Sequence, residues 1–427
     1  MTAATIELSG RSGGPVAVPG EALEDLAGRV EGRLLGPDDP GWDDAVRIWN
    51  GLAATAPALV LQPASAADVA AAVGFARAHG LLLGVKGGGH NIAGTAIAEG
   101  GLTLDLSGLC QLTVDPEARL AHVGPGCRLA DVDRATQAHG LATTLGFISK
   151  VGVAGLTLGG GLGYLTRRFG WTADNLVEAE VVCADGQVRT ASRERHPDLF
   201  WALRGGGGNL GVVTRFSFQL HPVGPQVLGG LIAWPFERAT EVMAAYRALT
   251  AAAPRDLATW LVLLNAPPAP FVPPQHHFAP GVALMVLGLA SAQQHAAQLA
   301  RARGALRPLF EFGTDLPYTA VQQMLDESAP YGVLHAYNKS IYLDDLCDDA
   351  IDVIASRLPA KTSPMSLLPI FPLGGAFSDV GDDDTAFGGR RTARYAVNMD
   401  AIAPDSAGLT ADRAWVRSLW DALRPFA

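Results

Sequence analysis

The chain has 427 residues, a net charge of −10 and a hydrophobic fraction of 48%, so it is long enough for two domains with sizeable cores. An acidic chain without a basic patch does not suit nucleic acid or an anionic membrane, because both are negatively charged. We therefore expect neither as a partner. The four cysteines form no CxxC pair and the N-terminus lacks a secretory signal, so we expect reduced thiols and a cytoplasmic location.

The first part of the chain predicts an arm followed by a strand–helix–strand unit. Residues 1–55 are interrupted by glycine, proline and aspartate, which favours an N-terminal arm wrapped around the next domain. A strand is predicted at 59–63 and another at 81–85. Between them, Ser65 is placed to cap a helix that ends at Gly80.

The second strand runs directly into Lys86-Gly87-Gly88-Gly89-His90-Asn91. Three consecutive glycines strip side chains from a patch of backbone, so its N–H groups can approach and donate to a ligand. That ligand is expected to be anionic, flat or both. For this stretch alone, a glycine-rich turn with a solvent-exposed histidine is an equally good interpretation.

Two more glycine clusters follow, VGVAGLTLGGGLGY at 151–164 and LRGGGGNLG at 203–211. The second contains a GxGxxG pattern, but it follows a predicted helix and precedes a predicted strand, which reverses the order of the nicotinamide fingerprint. The sequence has no GxxxxGK[ST] loop and no GxSxG elbow. The sequence therefore shows neither of these motifs for phosphoryl transfer or hydrolysis.

From about residue 223, predicted strands alternate with predicted helices, which favours a sheet backed by helices on one face. The strands are expected at 228–233, 259–264, 282–289 and 334–342, and the helices at 236–252, 292–303 and 346–358. The adjacent His276 and His277 would point apart in an extended chain, and no further ligands accompany them. We therefore expect no metal site.

The three glycine motifs, in this order and spacing, make residues 59–221 resemble the flavin-binding domain of the vanillyl-alcohol oxidase and p-cresol methylhydroxylase superfamily. The first two motifs resemble its berberine-bridge-enzyme-like branch. The resemblance implies an α+β fold with a two-part FAD-binding domain at 56–222. It also implies a substrate domain at 223–394, with an antiparallel sheet backed by helices. Residues 395–427 are expected to return to the FAD-binding domain and to end before the cover that relatives carry.

The same resemblance implies FAD as the cofactor. It places His90 where a histidine bonds the flavin 8α-methyl group, and it makes this bond the only one, because Ile148 stands where many members have a second, cysteine link. The other residues expected to contact FAD are Lys86, Gly87, Gly88, Gly89, Asn91, Gly146, Val151, Gly152, Gly155, Gly159, Gly160, Gly163, Tyr164, Asn175 and Val213.

By resemblance the chain is an oxidase of small-molecule alcohols or amines. Val151 matches a position where valine accompanies oxidase behaviour and leucine accompanies dehydrogenase behaviour. Hydride would pass from a substrate C–H to flavin N5, and dioxygen would then reoxidise the flavin to give hydrogen peroxide. A flavin-dependent dehydrogenase, a nicotinamide-fed reductase and a flavin-binding protein with little activity are the alternatives.

The catalytic base is expected on the strand predicted at 334–342. Lys339, Tyr337 and Tyr342 are the candidates, because burial among apolar strand residues disfavours the charge of a lysine. The alternative for Lys339 is a side chain that extends to solvent along the protein surface.

Overall fold

The computed structural model describes residues 5–52, 55–328 and 330–427. Residues 1–4, 53 and 54 of the predicted arm lie outside them. The arm is largely regular structure that packs on the following unit, with Leu8, Val18 and Leu26 buried in its core. The elements in order are β1 (Ile6–Ser9), β2 (Pro15–Val18), α1 (Gly20–Arg29), β3 (Arg33–Leu35), α2 (Trp42–Val46), β4 (Leu59–Gln62), α3 (Ala66–His79), β5 (Leu83–Lys86) and β6 (Leu102–Asp105).

A four-stranded sheet holds the first glycine loop. Its order is β3-β4-β6-β5, and β4, β6 and β5 run parallel. The helix α3 begins where predicted, since the Ser65 hydroxyl accepts a hydrogen bond from the amide of Asp68. It ends at Gly80 with φ 65°, a left-handed conformation that glycine adopts without strain. The loop at 87–91 therefore leaves the carboxyl end of a parallel strand.

A five-stranded antiparallel sheet of order β11-β10-β12-β8-β7 forms the second half of the region that the sequence predicts to bind FAD, which we call the FAD-binding part. Its elements, and those between its strands, are β7 (Leu112–Asp115), β8 (Leu120–Val123), α4 (Leu129–Gln137), β9 (Leu141–Ala142), α5 (Val153–Leu158), α6 (Thr166–Phe169), β10 (Leu176–Val182), β11 (Val188–Ser192), α7 (Pro197–Leu203) and β12 (Val212–Gln219).

The rest of the chain builds a seven-stranded antiparallel sheet of order β17-β14-β16-β15-β19-β20-β18. This arrangement confirms the α+β prediction with a helix-backed sheet. The elements are β13 (His221–Pro222), β14 (Gln226–Pro235), α8 (Ala239–Ala252), β15 (Leu257–Asn265), β16 (Pro280–Gly288), α9 (Ala292–Arg303), β17 (Phe310–Pro317), α10 (Tyr318–Gln323), β18 (His335–Leu343), α11 (Asp348–Arg357), β19 (Leu368–Pro372), β20 (Tyr395–Ala403) and α12 (Ser406–Leu423).

The two faces of this large sheet have different neighbours. On one face, α8, α11 and α12 cover an apolar core that includes Leu261, Val397 and Met399. On the other face, a second core joins sheet residues to the FAD-binding part, for example Phe371 to Tyr164. We call the first the helix face and the second the cofactor face.

The end of the chain does not return to the FAD-binding part, which corrects the expectation for residues 395–427. The strand β20 pairs with β18 and β19 inside the large sheet, and α12 packs on the helix face of β18 and β20. Alternate apolar side chains of β20, including Val397, Met399 and Ala401, face that helix. The segment completes the sheet because this alternation gives β20 one side suited to a helix-covered core.

A buried ion pair joins the two parts of the molecule. The Arg391 guanidinium donates to both carboxylate oxygens of Asp174, each at 2.8 Å, and the two side chains are 3% and 6% exposed. The rings of Trp171, Phe377 and Phe387 surround the guanidinium. Because a buried charge is stable only when it is paired, Arg391 holds its loop against the FAD-binding part.

Candidate active site

The loop after β5 presents free backbone donors. The amides of Gly88, Gly89, His90 and Asn91 donate to no main-chain carbonyl among the described residues. Backbone N–H groups without partners are unusual unless solvent or a ligand satisfies them. A run of such donors suits an anionic group, as the glycine pattern predicts.

His90 lies at the end of this run in a largely apolar setting. Its ring stacks at 5.7 Å from the Trp49 ring, and the edge of Tyr331 approaches to 4.8 Å, both measured between centroids. Its Nε2 is buried and has no hydrogen-bond partner among the described residues. Burial, helped by the nearby positive charge of Arg128, lowers the pKa of His90 to about 4. The imidazole is therefore neutral at physiological pH.

Two side chains fix the loop from outside. The Arg128 guanidinium donates to the carbonyl of Gly88 at 2.5 Å and to the Tyr331 hydroxyl at 2.7 Å. That hydroxyl in turn donates to the Gly88 carbonyl at 2.6 Å. Tyr331 comes from the part of the chain that builds the large sheet. The position of the loop therefore depends on both parts of the molecule.

The cofactor face of β18 and β20 reaches the neighbourhood of His90. Ala336 on β18 and Ile402 on β20 pack with Trp49, which stacks on the His90 ring. Side chains two residues further along a strand lie on the same face, about 7 Å away. For β18 and β20 these are Asn338 and Asp400.

A row of polar side chains continues along this face. Asn338 is the register partner of Asp400, and Ser340 is the register partner of Asn398. The Ser340 hydroxyl donates to the side-chain oxygen of Asn398 at 2.8 Å. We call Asn338, Ser340, Asn398 and Asp400 the polar row. Polar side chains grouped on the face of a sheet that otherwise forms a core indicate a binding wall.

Asp400 is the titratable member of the polar row. Its half-buried carboxyl group has lost much of its hydration, and this burial raises the pKa of Asp400 to about 7, with the Asn338 side chain opposing the shift. A carboxyl group with a pKa near neutrality is suited to act as a general base, since it is ionised often enough and still holds a proton well.

Beyond the polar row the wall becomes aromatic. The Phe147 ring lies 4.8 Å from the Tyr164 ring, 5.5 Å from Trp260 and 4.9 Å from Phe371, centroid to centroid. The Tyr164 hydroxyl and Trp260 Nε1 are buried without hydrogen-bond partners among the described residues. We call these four residues the aromatic patch. It supplies an apolar surface on which the Tyr164 hydroxyl and the Trp260 indole N–H lie close to each other.

Two of the three predicted catalytic residues lie on the wrong side of the sheet. The Lys339 ammonium stands 3.7 Å from the centroid of the Trp420 ring, and the Tyr337 hydroxyl accepts a hydrogen bond from Arg417, so both side chains face α12. The prediction for Tyr337 and Lys339 is wrong because strand side chains alternate between faces. Tyr342 lies on the cofactor face, packed with the aromatic core, and burial raises its pKa.

Comparison with known proteins agrees with this architecture. Residues 57–192 match the family model described as FAD binding domain. The (R)-6-hydroxynicotine oxidase of Paenarthrobacter nicotinovorans is 39% identical over 205 residues, which are 48% of this chain and 45% of the relative. The match therefore spans less than half of that relative's length.

Solved structures extend the likeness to nearly the whole chain. The 6-hydroxy-D-nicotine oxidase from Arthrobacter nicotinovorans has a TM-score of 0.80 and 27% identity, covering 93% of this chain and 86% of its own. The BBE-like 1 protein of Physcomitrella patens shares the fold with a TM-score of 0.84 at 22% identity, covering 95% of this chain and 89% of its own.

The chain contains a FAD binding domain, and its fold resembles that of 6-hydroxy-D-nicotine oxidase. FAD is its cofactor, and the residues of the first glycine loop fit that group. The free amides from Gly88 to Asn91 are suited to an anionic diphosphate, and the unpartnered Nε2 of His90 is directed into an apolar setting that suits a flavin ring. Gly155 adds a bare surface, since a Cβ placed there would meet no atom within 4 Å.

The side chains of three residues predicted to bind FAD have protein partners. The Lys86 ammonium is buried, donates to the carbonyls of Asp44 and Ala45, and lies 3.5 Å from the Asp105 carboxylate. Asn175 donates to two main-chain carbonyls and accepts from His221. Val213 belongs to the core of the five-stranded sheet. These three positions build the frame of the site, because their functional groups are directed at protein atoms.

The glycines divide in the same way. Gly88 and Gly152 pack backbone to backbone, so a Cβ on either would collide with the other. A Cβ at Gly163 would collide with the Leu145 carbonyl, and one at Gly160 would collide with the Trp171 ring. These glycines are required for close chain packing. The remaining predicted contacts, namely Gly87, Gly89, Asn91, Gly146, Val151, Gly159 and Tyr164, stay predictions.

The sequence interpretation missed Asp400, Arg128 and Tyr331. One signal for Asp400 was present, since Asp400 and Asn398 are the two polar residues in a strand that is apolar elsewhere from Tyr395 to Ala403. Arg128 and Tyr331 gave no such signal, because their contacts join distant parts of the chain. Within the residues that the structure describes, no group of three or more His, Cys, Asp or Glu side chains could hold a metal ion, and no helix is long and apolar enough to cross a membrane.

Proposed function

We propose that the protein is an oxidase of a small-molecule alcohol or amine, with Asp400 as its catalytic base. The observation that carries the proposal is the polar row on the cofactor face, which brings one carboxyl group with a pKa of about 7 beside the cluster around His90. The oxidase relatives support the choice of reaction.

Each part of the wall has a chemical task. Asp400 accepts the proton of the substrate hydroxyl or amine while the neighbouring C–H bond breaks. Asn338, Ser340 and Asn398 orient that hydroxyl or amine through hydrogen bonds. The aromatic patch binds the apolar part of the substrate and excludes water from the reacting carbon. When bound, FAD would supply the hydride acceptor at N5, and dioxygen would take the two electrons from the reduced flavin and leave as hydrogen peroxide.

We further propose that His90 carries FAD covalently, and that it is the only attachment. A neutral imidazole is the nucleophilic form, and both burial and Arg128 keep His90 neutral. The free loop amides would bind the diphosphate of FAD beside His90. Attachment would replace the imidazole N–H bond and one C–H bond of the 8α-methyl group by a C–N bond, and the two electrons and two protons would remain on the flavin until dioxygen reoxidises it. Ile148, in place of a second linking residue, packs in the apolar cluster with Trp49.

A substrate panel tests the proposed reaction. Amines, secondary alcohols and oligosaccharides are mixed with the FAD-loaded protein, first without oxygen to record flavin bleaching and then with oxygen to record hydrogen peroxide. An oxidase bleaches and releases peroxide with the same substrate. Bleaching without peroxide identifies a dehydrogenase, and bleaching by NADPH alone identifies a reductase. Either of these two results rejects the oxidase proposal.

A further inference from the structure

A buried carboxyl–amide contact lies where the two parts of the molecule meet, away from the polar row. Asp133 on α4 and Gln322 on α10 are 2% and 1% exposed. The Gln322 Nε2 donates to Asp133 Oδ2 at 3.2 Å and to the Gly146 carbonyl at 3.3 Å. The helices α4 and α10 belong to different parts of the chain and pack directly on each other.

The unused atoms of this pair are complementary. Asp133 Oδ1 and Gln322 Oε1 are both buried, and neither has a partner among the described residues. Two oxygen acceptors that meet at a buried contact cannot bond to each other unless one of them carries a proton. Leaving both without a hydrogen bond would destabilise the folded protein. A proton on Asp133 Oδ1 supplies that hydrogen bond, since a carboxylic acid and a primary amide form a ring of two hydrogen bonds.

We propose that Asp133 is a protonated carboxylic acid paired with Gln322, and that this acid–amide pair is a positioning device joining the two parts of the enzyme. Burial raises the pKa of Asp133 to about 7, which supports the same protonation state. The Gly146 carbonyl held by Gln322 belongs to the residue before Phe147 of the aromatic patch. The pair therefore fixes the wall of the substrate site from behind.

Among the residues that the structure describes, no charged group faces Asp133 from the elements packed on α4. From α10 the titratable neighbour is Tyr318, which is buried with its hydroxyl unpartnered among the described residues. The strand β9 offers only Leu141 and Ala142, and Asp115 of β7 is exposed and accepts from the amides of residues 117 and 118. No neighbouring cation therefore stabilises an ionised Asp133.

The proposal predicts a pH-dependent domain contact. Because folding raises the pKa of Asp133, the folded protein holds this proton more tightly than the unfolded chain does. The resulting stability is fully present below the pKa that Asp133 has in the unfolded chain, about 4, falls steadily as the pH rises above that value, and is lost once the pH has passed about 7. Asparagine at position 133 reproduces both hydrogen bonds with Gln322 and cannot ionise, so it removes this dependence.

The test compares FAD-loaded wild-type protein with Asp133→Asn, and uses Asp421→Asn, at an exposed carboxylate, as the control. The infrared difference spectrum between wild type and Asp133→Asn should show the carbonyl band of a protonated carboxylic acid, while the cofactor bands cancel. The melting temperatures of the two proteins should lie closer together at pH 5 than at pH 8.5. At pH 8.5 the Asp133→Asn protein should melt higher by on the order of 2 °C or more, and the control should follow wild type.

Exchanging the acid at position 133 with the amide at position 322 distinguishes an effect of the hydrogen-bonded pair from a general effect on packing. The double variant Asp133→Asn with Gln322→Glu moves the acid to the other helix and should regain the wild-type pH dependence of melting, whereas Gln322→Glu alone should lose stability near neutral pH. Absence of the acid band, or an equal loss of stability in Asp133→Asn at both pH values, overturns the proposal.

The role of the pair at the substrate wall rests on the proposed function. If that function holds, the KM of a substrate found in the panel should rise with pH above 7 in wild type and stay flat in Asp133→Asn. Infrared and melting data decide on the pair without any substrate. Failure of the oxidase assignment is therefore distinguishable from failure of the acid–amide pair.

Discussion

Replacement of Asp400 by asparagine is the most direct test of the proposed base. The change removes the proton acceptor and keeps the size of the side chain. It leaves the backbone of β20 intact, because the amide and carbonyl of residue 400 are bonded to Leu367. General bases contribute about 10²–10⁴-fold to a rate, so the rate of flavin reduction should fall by about that factor.

The pKa of Asp400 sets the pH dependence of the same step. Since the base works only when ionised, the reduction rate in wild type should rise with pH and level off above about 7. At one pH unit below that value roughly a tenth of the carboxyl groups is ionised, so the rate should be about tenfold lower. The residual rate of Asp400→Asn should show no such rise.

Rapid mixing without oxygen measures both effects, with the panel substrate at saturating concentration and flavin absorbance as the signal. The control is Lys339→Met, because Lys339 faces α12 and should leave the rate within about threefold of wild type. An Asp400→Asn protein that reduces its flavin within threefold of wild type, or that keeps the inflection near pH 7, would refute the assignment of the base.

Three further changes test the frame of the site. Mass spectrometry of denatured protein should find one FAD on the peptide with His90, and His90→Ala should release FAD on acid precipitation; free FAD from the unmutated protein would contradict the link. Arg391→Met should lower the free energy of unfolding by about 3–5 kcal/mol in chemical denaturation, since it leaves a buried carboxylate unpaired. Arg390→Met, at an exposed pair, should cost about 1 kcal/mol or less. Gly163→Ala should give little folded protein, because its Cβ meets a main-chain carbonyl, whereas Gly155→Ala should express normally; equal yields would contradict the packing argument.

Local patterns predicted the regular structure well. Ser65 and Gly80 marked the ends of α3, and the glycine run located the bend after β5. Each of these signals is contained in a few neighbouring residues, because helix caps and glycine bends depend on interactions between residues close in sequence. The strands β17 and β19 were not predicted, because β17 is largely exposed and β19 is short and contains proline.

The site was less predictable because it depends on which side of a strand each residue occupies. Tyr337, Lys339 and Tyr342 were grouped by closeness in sequence, yet only Tyr342 shares the face of Asp400. Asp400 and Asn338 are adjacent only through the register of β18 and β20, and their separation of 62 positions in the chain hides the contact. The side-chain contacts of Lys86 were hidden for a similar reason, since its carboxylate neighbour belongs to the next parallel strand.

The large sheet has one face covered by helices and one face lining the proposed substrate site, and this separation affects how substrate preference can be changed. Positions 338, 340 and 398 point away from the helices, so replacing them alters hydrogen bonding to the substrate without opening a cavity under α12. Their strand neighbours anchor the backbone through the helix-covered core, which keeps each new side chain aimed at the same place. A saturation library at these three positions should therefore be rich in folded proteins and should vary in the molecules they accept.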